Sequence, residues 1–395
     1  MPKSRDTIYL RNLRSRLQFI PGLPILIVIG ARRVGKTTLL REWFSELEQP
    51  KAWLDGDNPA HFQLWQRLAS GQTANEWLTN LTGEATGERY LFIDEAQMLP
   101  DSSILIKHLS DSIPEARVVM SGSSALKLKD LSAESMAGRK QMLELYPLNL
   151  GERLSLTEPS QLEFNAPSVL REMLVWGGFP GVLKLPEGWQ RQTYLADVID
   201  SVLYRDLLGL VRSKDTNVFR MLLVMLARSV GTRLNASTLS KSLELSRITI
   251  NRYLELLVEA SVIRLLPGIT ASGIVPKVQP KVFFVDNGIL SLLLADDRVL
   301  EVRKPEDQGL LVENFFVSEM VKNLAYKGDS LTQLGYLWHE KGEIDLVEYR
   351  NGIVRAWEVK LNKKQGGTRE TRNALGDASF TLVNLENIVS VLKDL

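Results

Sequence analysis

Two sets of polar residues, far apart in the chain, have the types and spacing of reactive sites. The first is Gly30-Ala31-Arg32-Arg33-Val34-Gly35-Lys36-Thr37, followed by Thr38. Glycines bounding such a loop let its backbone N–H groups converge on one point, and a helix that starts there adds its partial positive end. A nucleoside polyphosphate suits that point: Lys36 can reach the β- and γ-phosphates, and the Thr37 hydroxyl can ligate Mg²⁺. Asp94 and Glu95 follow at about sixty residues, the spacing of a second half-site, the first acid for the Mg²⁺ shell and the second to orient or activate water. Ser121, in Ser121-Gly122-Ser123-Ser124, either hydrogen-bonds a γ-phosphate or lytic water, or belongs to a plain serine-rich turn. The second set is Glu313, Asp345, Glu358 and Lys360. Strand side chains alternate, so Glu358 and Lys360 share a face and Asp345 can lie opposite them on a neighbouring strand.

The elements that must position these groups are legible around them. Ile25 to Ile29 is an apolar strand feeding the loop, and Thr38 to Leu47 reads as the helix that leaves it. Trp53 to Asp55 reads as a short strand, Pro59 to Asn80 as a helix, and Arg89 to Glu95 as a buried strand ending in the two acids. Arg117 to Met120 is a third strand, ending at Ser121. Alternation of this kind from Leu23 to about Leu150 implies a parallel sheet with its chemistry at the C-terminal strand ends. Ahead of it, Asp6 to Phe19 has helical apolar spacing; its arginines form either a solvated face or a nucleic-acid contact. Near the other end, Leu334–Trp338, Glu343–Tyr349 and Ile353–Lys360 read as strands, the last two joined by the hairpin signal Asn351-Gly352, with Leu310–Leu324 as a helix carrying Glu313.

Between these regions the chain is largely helical from Pro147, with Trp176 to Gly181 as a conspicuous turn. Helical segments Asn217–Arg228, Ser237–Leu243 and Ser246–Glu259, followed by the strand Val262–Leu266, have the order of a winged helix-turn-helix. Leu239, Leu243 and Leu245 would pack on Ile248, Tyr253, Leu254 and Leu257. That packing leaves Arg247, Thr249, Asn251 and Arg252 outward-facing, near Lys241, where they suit phosphates and base edges. Winged helices also bind proteins, so a protein partner stands beside DNA as a reading.

Composition limits the rest. The 395 residues suffice for two or three domains, and a net charge of +1 leaves no global excess to drive nucleic-acid binding, so any basic surface is local. The absence of cysteine excludes disulfides, thiolate zinc sites and cysteine nucleophiles, and the three histidines are scattered. No apolar run reaches membrane-spanning length and Arg5, Arg11, Arg14 and Arg16 break up the N-terminus, so a cytoplasmic protein with no membrane partner is expected.

With these motifs in order, the sequence resembles bacterial and archaeal AAA-type P-loop ATPases that carry a C-terminal domain related to restriction-type nucleases. The shared strings are G-A-R-R-V-G-K-T at Gly30, I-D-E-A-Q at Ile93, S-G-S-S at Ser121, A-G-R at Ala137, Y-P-L-N-L-G-E at Tyr146, W-G-G-F-P at Trp176, F-F-V-D-N-G at Phe283, L-V-E-N-F-F at Leu311, then G-E-I-D and E-V-K. The resemblance implies an α/β fold in three parts: a P-loop ATPase domain (1–150), a helical region with a winged helix (151–275) and a PD-(D/E)XK nuclease-like domain (276–395). It implies ATP and Mg²⁺ as cofactors, with Arg139 serving the γ-phosphate either from a neighbouring subunit, which makes the working form a homo-oligomer, or from a closing loop; a structural ion pair is the alternative for Arg139. In the C-terminal part it implies Mg²⁺ on Glu313, Asp345 and Glu358, with Lys360 positioning water. The expected activity is ATP hydrolysis coupled to duplex or branched DNA. The rivals are a nucleotide-dependent switch with a protein partner and an ATP-gated, Mg²⁺-dependent nuclease.

Overall fold

The computed structural model describes residues 12–70, 73–122, 138–201, 216–270, 273–274, 278–294, 303–329, 331–339, 342–361 and 378–394. The chain divides at the Leu145–Tyr146 bond into a unit that ends at Leu145 and a second that runs from Tyr146 onward.

The first unit is built on five strands: β1 (Ile25–Ile29), β2 (Lys51–Asp55), β3 (Arg89–Asp94), β4 (Ala116–Gly122) and β5 (Lys140–Glu144). They form one sheet in the order β2-β3-β4-β1-β5, and every neighbouring pair is parallel. β1 and β3 are buried at every position, as expected for central strands covered on both faces, whereas β2, at an edge, alternates. Helices α1 (Lys36–Glu46), α2 (Pro59–Ala69), α3 (Ala74–Thr82) and α4 (Ser102–Ser112) complete the unit. The single helix expected over Pro59–Asn80 is two helices. The second has its own start, where the Thr73 side chain accepts from the Glu76 N–H at 3.3 Å. Within the expected helix Asp6–Phe19, the described part holds one 3-10 turn, Asn12–Arg16, and the residues before Asn12 lie outside the described residues. Ser123, Ser124 and Ala137 of two quoted motifs also lie outside them.

In the second unit the helices are α5 (Leu150–Leu154), α6 (Leu162–Trp176), α7 (Gly188–Ser201), α8 (Thr216–Arg228), α9 (Ala236–Ser242), α10 (Arg247–Glu259), α11 (Asn287–Leu293), α12 (Pro305–Lys327) and α13 (Ile388–Lys393). Strands β6 (Ile263–Leu266) and β9 (Lys281–Phe284) pair antiparallel, as do the short β7 (Ile269–Thr270) and β8 (Gly273–Ile274). A four-stranded sheet runs β10 (Gln333–His339), β11 (Gly342–Arg350), β12 (Ile353–Val359), β13 (Ser379–Val383). Its first three strands are antiparallel and β13 joins β12 in parallel. The β11–β12 turn places Asn351 and Gly352 at φ 48° and 85°, the left-handed pair that an Asn-Gly hairpin adopts. The boundary expected at 275/276 falls between the paired strands β6 and β9, so the helices and the terminal sheet belong to one unit.

Three of the quoted strings meet in a buried polar knot of this unit. The Asp286 carboxylate accepts from the backbone N–H of Gly178 at 2.7 Å, Gly288 at 2.8 Å and Ile289 at 3.3 Å. Gly177, at φ 72°, lies so close that a Cβ there would stand 2.0 Å from Asp286 Oδ1. Asn287 Nδ2 donates to the carbonyls of Leu174 and Leu311, and Asn314 donates from Nδ2 to the Phe284 carbonyl and accepts from its N–H. Burial outweighs Lys322 and the three donated bonds, so the Asp286 carboxyl is held above its ordinary pKa.

Candidate functional site

The phosphate loop leaves the C-terminal end of β1, which lies between β4 and β5, with β3 on the far side of β4. The ends of three neighbouring strands therefore bring the loop, Ser121 and Asp94 together. Arg33 at φ 65° and Gly35 at φ 99° curl the backbone so that successive N–H groups face one concavity. Ala31 and Val34 are buried in the fold, whereas Arg33, Thr37 and Thr38 are exposed and Arg32 is half-buried. Lys36 is folded back into the loop, its ammonium donating to the Gly30 and Ala31 carbonyls at 2.9 Å each. Those contacts are available for exchange with phosphate oxygens.

Asp94 is the junction of the site. It is 5% exposed; its Oδ2 accepts from the Thr37 hydroxyl at 2.7 Å, its Oδ1 accepts from the Ser121 hydroxyl, and the Glu95 N–H lies 3.2 Å from Oδ1. Ser121 is thus tied to the acid rather than being a free turn residue. Glu95 follows at φ 49°, a left-handed conformation that turns it off the strand, and Gln97 donates to its carboxylate. A nucleotide-bound Mg²⁺ fits this donor set, a hydroxyl and a carboxylate side by side at the exit of a phosphate loop. Arg139 is not brought there. It precedes β5 at the opposite end of the sheet, its carbonyl accepting from the Ile25 N–H and its guanidinium paired with Asp111. The length of β5, about 16 Å at 3.3 Å per residue, separates it from the phosphate end. A part for Arg139 on its own subunit's phosphate is excluded by that distance, leaving the ion pair or service to a neighbouring copy.

In the second unit, Glu313 on α12, Asp345 on β11, and Glu358 and Lys360 at the end of β12 do converge. Lys360 Nζ lies 3.1 Å from Glu358 Oε1 and 3.6 Å from Asp345 Oδ2, and the Val359 N–H donates to Asp345 at 2.8 Å. Two further groups share the cluster. Lys281, at the start of β9, pairs with Glu343 and lies 3.9 Å from both Glu313 Oε1 and Asp345 Oδ1. Burial, then the Asp345 charge, pushes the Glu313 carboxyl up to about 7. At Lys360 burial pulls the pKa down, but Asp345, Glu358 and Glu313 outweigh it and hold the ammonium above its usual value. Glu313 Oε1 and Glu358 Oε2 have no hydrogen-bond partner. Among the described residues no group of three His, Asp or Glu side chains is arranged to hold a metal ion, and the Lys281 ammonium stands between Glu313 and Asp345, two of the acids on which Mg²⁺ is expected.

Sequence reasoning missed Lys281 and Glu343. Glu343 shares the strand face of Asp345 by the period of two, and Lys281 is a lone charge heading an apolar strand; both signals were available.

The helical triplet α8, α9, α10 packs as expected in part. Leu239, Leu243, Tyr253, Leu254 and Leu257 are buried, but Ile248 is 82% exposed and Ile250 takes its place in the core. Ser246 caps α10 through the Thr249 N–H at 3.0 Å, which sets the helix phase and turns Ile248 outward. Lys241, Arg247, Asn251 and Arg252 are exposed; Thr249 is half-buried, its hydroxyl 2.9 Å from that of Ser246. Among the described residues no helix is long and apolar enough to cross a membrane.

Comparison with known proteins agrees with the first unit. Residues 23–154 match the AAA domain family, and residues 167–299 match a family described as a domain of unknown function, DUF8612. An uncharacterized protein of Mycobacterium tuberculosis is 29% identical over 359 residues, covering 90% of this chain and 74% of the relative. An uncharacterized protein of Methanocaldococcus jannaschii is 23% identical over 396 residues, covering 95% and 84%. A solved structure, a Walker-type ATPase of Pyrococcus abyssi, superposes with a TM-score of 0.51 at 17% identity over 73% of this chain and 97% of that one, a likeness of fold. The match supports ATPase activity in general, and the five-stranded parallel sheet with its loop agrees with a P-loop ATPase fold for residues 23–154.

Proposed function

We propose that the chain hydrolyses ATP and that its nucleotide state governs how the unit after Tyr146 holds DNA. The observation that carries the ATPase half is Asp94, gripped by the Thr37 and Ser121 hydroxyls at the mouth of the phosphate loop with Glu95 beside it. Lys36 would exchange its carbonyl contacts for phosphate oxygens, Thr37 and Asp94 would hold Mg²⁺, and Glu95, which accepts from Gln97, would orient or activate the attacking water. When bound there, the ion would neutralise charge on the phosphate oxygens.

For the DNA half, Lys241, Arg247, Asn251 and Arg252 are exposed near the start of α10, and the order of three helices and a strand pair is that of a winged helix. A helix, three antiparallel strands and a parallel fourth likewise support a nuclease-like terminal module, read here as holding rather than cutting DNA. Nucleotide binding drives the change only through contacts that differ between two states of the protein.

The test is steady-state ATP hydrolysis without DNA, with linear duplex and with a four-way junction. Stimulation of wild type but not of Lys36→Ala or Glu95→Gln is expected; hydrolysis indifferent to every DNA refutes the coupling. Replacing Lys241, Arg247 and Arg252 by alanine should flatten the salt dependence of binding by roughly 0.9 in log–log slope per lost phosphate contact. A second reading, a switch with a protein partner, is favoured by the exposed Ile248 on the same face. An unchanged salt slope would turn the assignment to it.

A further inference from the structure

The carboxylate cluster of the second unit contains a cation of its own. Lys281 is 1% exposed, and its ammonium is enclosed by Glu343, Glu313 and Asp345, with the Tyr336 ring centroid 5.1 Å away. A buried ammonium without countercharge would be driven to lose its proton, and carboxylates this close would repel one another without a cation. Each therefore requires the other.

We propose that Lys281 is the resident cation of this cluster, seated where a divalent ion would otherwise draw the same carboxylates together. This rests on the nuclease-like reading of the module. The tethered ammonium differs from Mg²⁺ in two respects: it neutralises one charge rather than two, and it offers no open coordination position at which a water or phosphoryl oxygen is polarised. A divalent ion enters only by displacing it. The two buried oxygens without a partner, Glu313 Oε1 and Glu358 Oε2, are the signature of a donor set that one ammonium cannot satisfy, and the Glu358 side chain is 7% exposed. These two oxygens are the acceptors that an ion displacing the ammonium would take up.

The test is a Mn²⁺ titration of the full chain without nucleotide, reading free Mn²⁺ by electron paramagnetic resonance, together with thermal unfolding with and without Mn²⁺. Wild type is expected to show no Mn²⁺ site that depends on Asp345. Lys281→Met is expected to gain one, about tenfold or more tighter than any in wild type, and to lose it again when combined with Asp345→Asn. Its unfolding midpoint should fall without metal and recover with Mn²⁺, a rescue that loss of packing alone would not give. If Lys281→Met does not fold, Lys281→Gln keeps a polar side chain at the position without its charge; a gained Mn²⁺ site supports the proposal and no gain overturns it. Wild-type binding as tight as that of Lys281→Met, and abolished by Asp345→Asn, also overturns it. Metal-dependent DNA cutting by wild type that Asp345→Asn stops would uphold a nuclease and overturn the role of Lys281. A Lys281→Met protein that binds Mn²⁺ without cutting or holding DNA would uphold that role and refute the nuclease-like reading.

Discussion

The two bounding glycines of the phosphate loop are equivalent in a motif but not in this structure, and Gly30→Ala separates them. A Cβ on Gly30 would stand 2.1 Å from the Leu145 carbonyl oxygen, against an ordinary contact of 3.4 Å or more, so that oxygen must retreat by about 1.3 Å. The same residue donates its N–H to the Ile29 carbonyl at 2.8 Å, the bond that continues the β1–β5 pairing past β5. Its loss leaves buried groups unpaired, about 1–3 kcal/mol, and crowding adds about 1–3 kcal/mol. At the middle of both ranges the total is about 4 kcal/mol, a large part of a domain's net stability. Gly35 has open space around a Cβ and only its φ of 99° to lose, so Gly35→Ala costs about 1–2 kcal/mol. At about 3–5 °C per kcal/mol for a unit of this size, Gly30→Ala should lower the unfolding midpoint of the first unit by about 12–20 °C and Gly35→Ala by about 3–10 °C. Thermal unfolding with and without ATP reads both numbers, and Gly30→Ala should also abolish the stabilisation by ATP. Equal midpoints for the two variants would refute the reasoning, because the Leu145 contact would then carry no weight.

Three other outcomes are expected. The raised carboxyl of Glu313 binds its proton more tightly folded than unfolded, so its contribution is full below about 4.5 and is lost as pH rises to about 7. Glu313→Gln should therefore gain on wild type across that window, by about 3 kcal/mol at most, in denaturation at pH 8 but not at pH 4; a pH-independent difference contradicts this. Asp286→Ala strands three buried N–H donors and should destabilise the second unit by about 3–5 kcal/mol in urea unfolding while leaving ATP affinity near wild type; a loss under 1 kcal/mol would mean that the knot relaxes. Arg139→Ala should leave the turnover of dilute protein within about twofold, whereas a drop of about 10³ at oligomer-forming concentration would assign it to a neighbour's phosphate.

The nucleotide half of the molecule was readable because its signals are local. A five-residue apolar strand, a glycine-bounded loop and an acid at a strand end each report their own surroundings, and the sheet brought Lys36, Thr37, Asp94 and Ser121 together as expected. The place of Arg139 was not legible, because a short A-G-R string carries no information about which end of a sheet it borders. Ile248 failed for a subtler reason: shifting a helix start by one residue rotates each side chain by about 100°, and the Ser246 cap fixes the phase that apolar spacing left open. Lys281 lies 62 positions from Glu343, and Asp286 is 108 positions from the Gly178 amide it accepts from. Such partners are chosen by tertiary packing, so the strings W-G-G-F-P and F-F-V-D-N-G are recognisable in the sequence while their mutual reason is not.

The pairing of β6 with β9 bears on how this chain can be inherited. Cutting between 275 and 276 would leave two strands with unanswered backbone groups, each an adhesive edge, and would part Lys281 from the backbone of Arg233. The helical triplet and the terminal sheet are therefore poor candidates for separate exchange between relatives. A gene fusion or recombination that respects the fold would carry everything after Leu145 as a single cassette, and the matched span 167–299 likewise runs across 275/276 without a break.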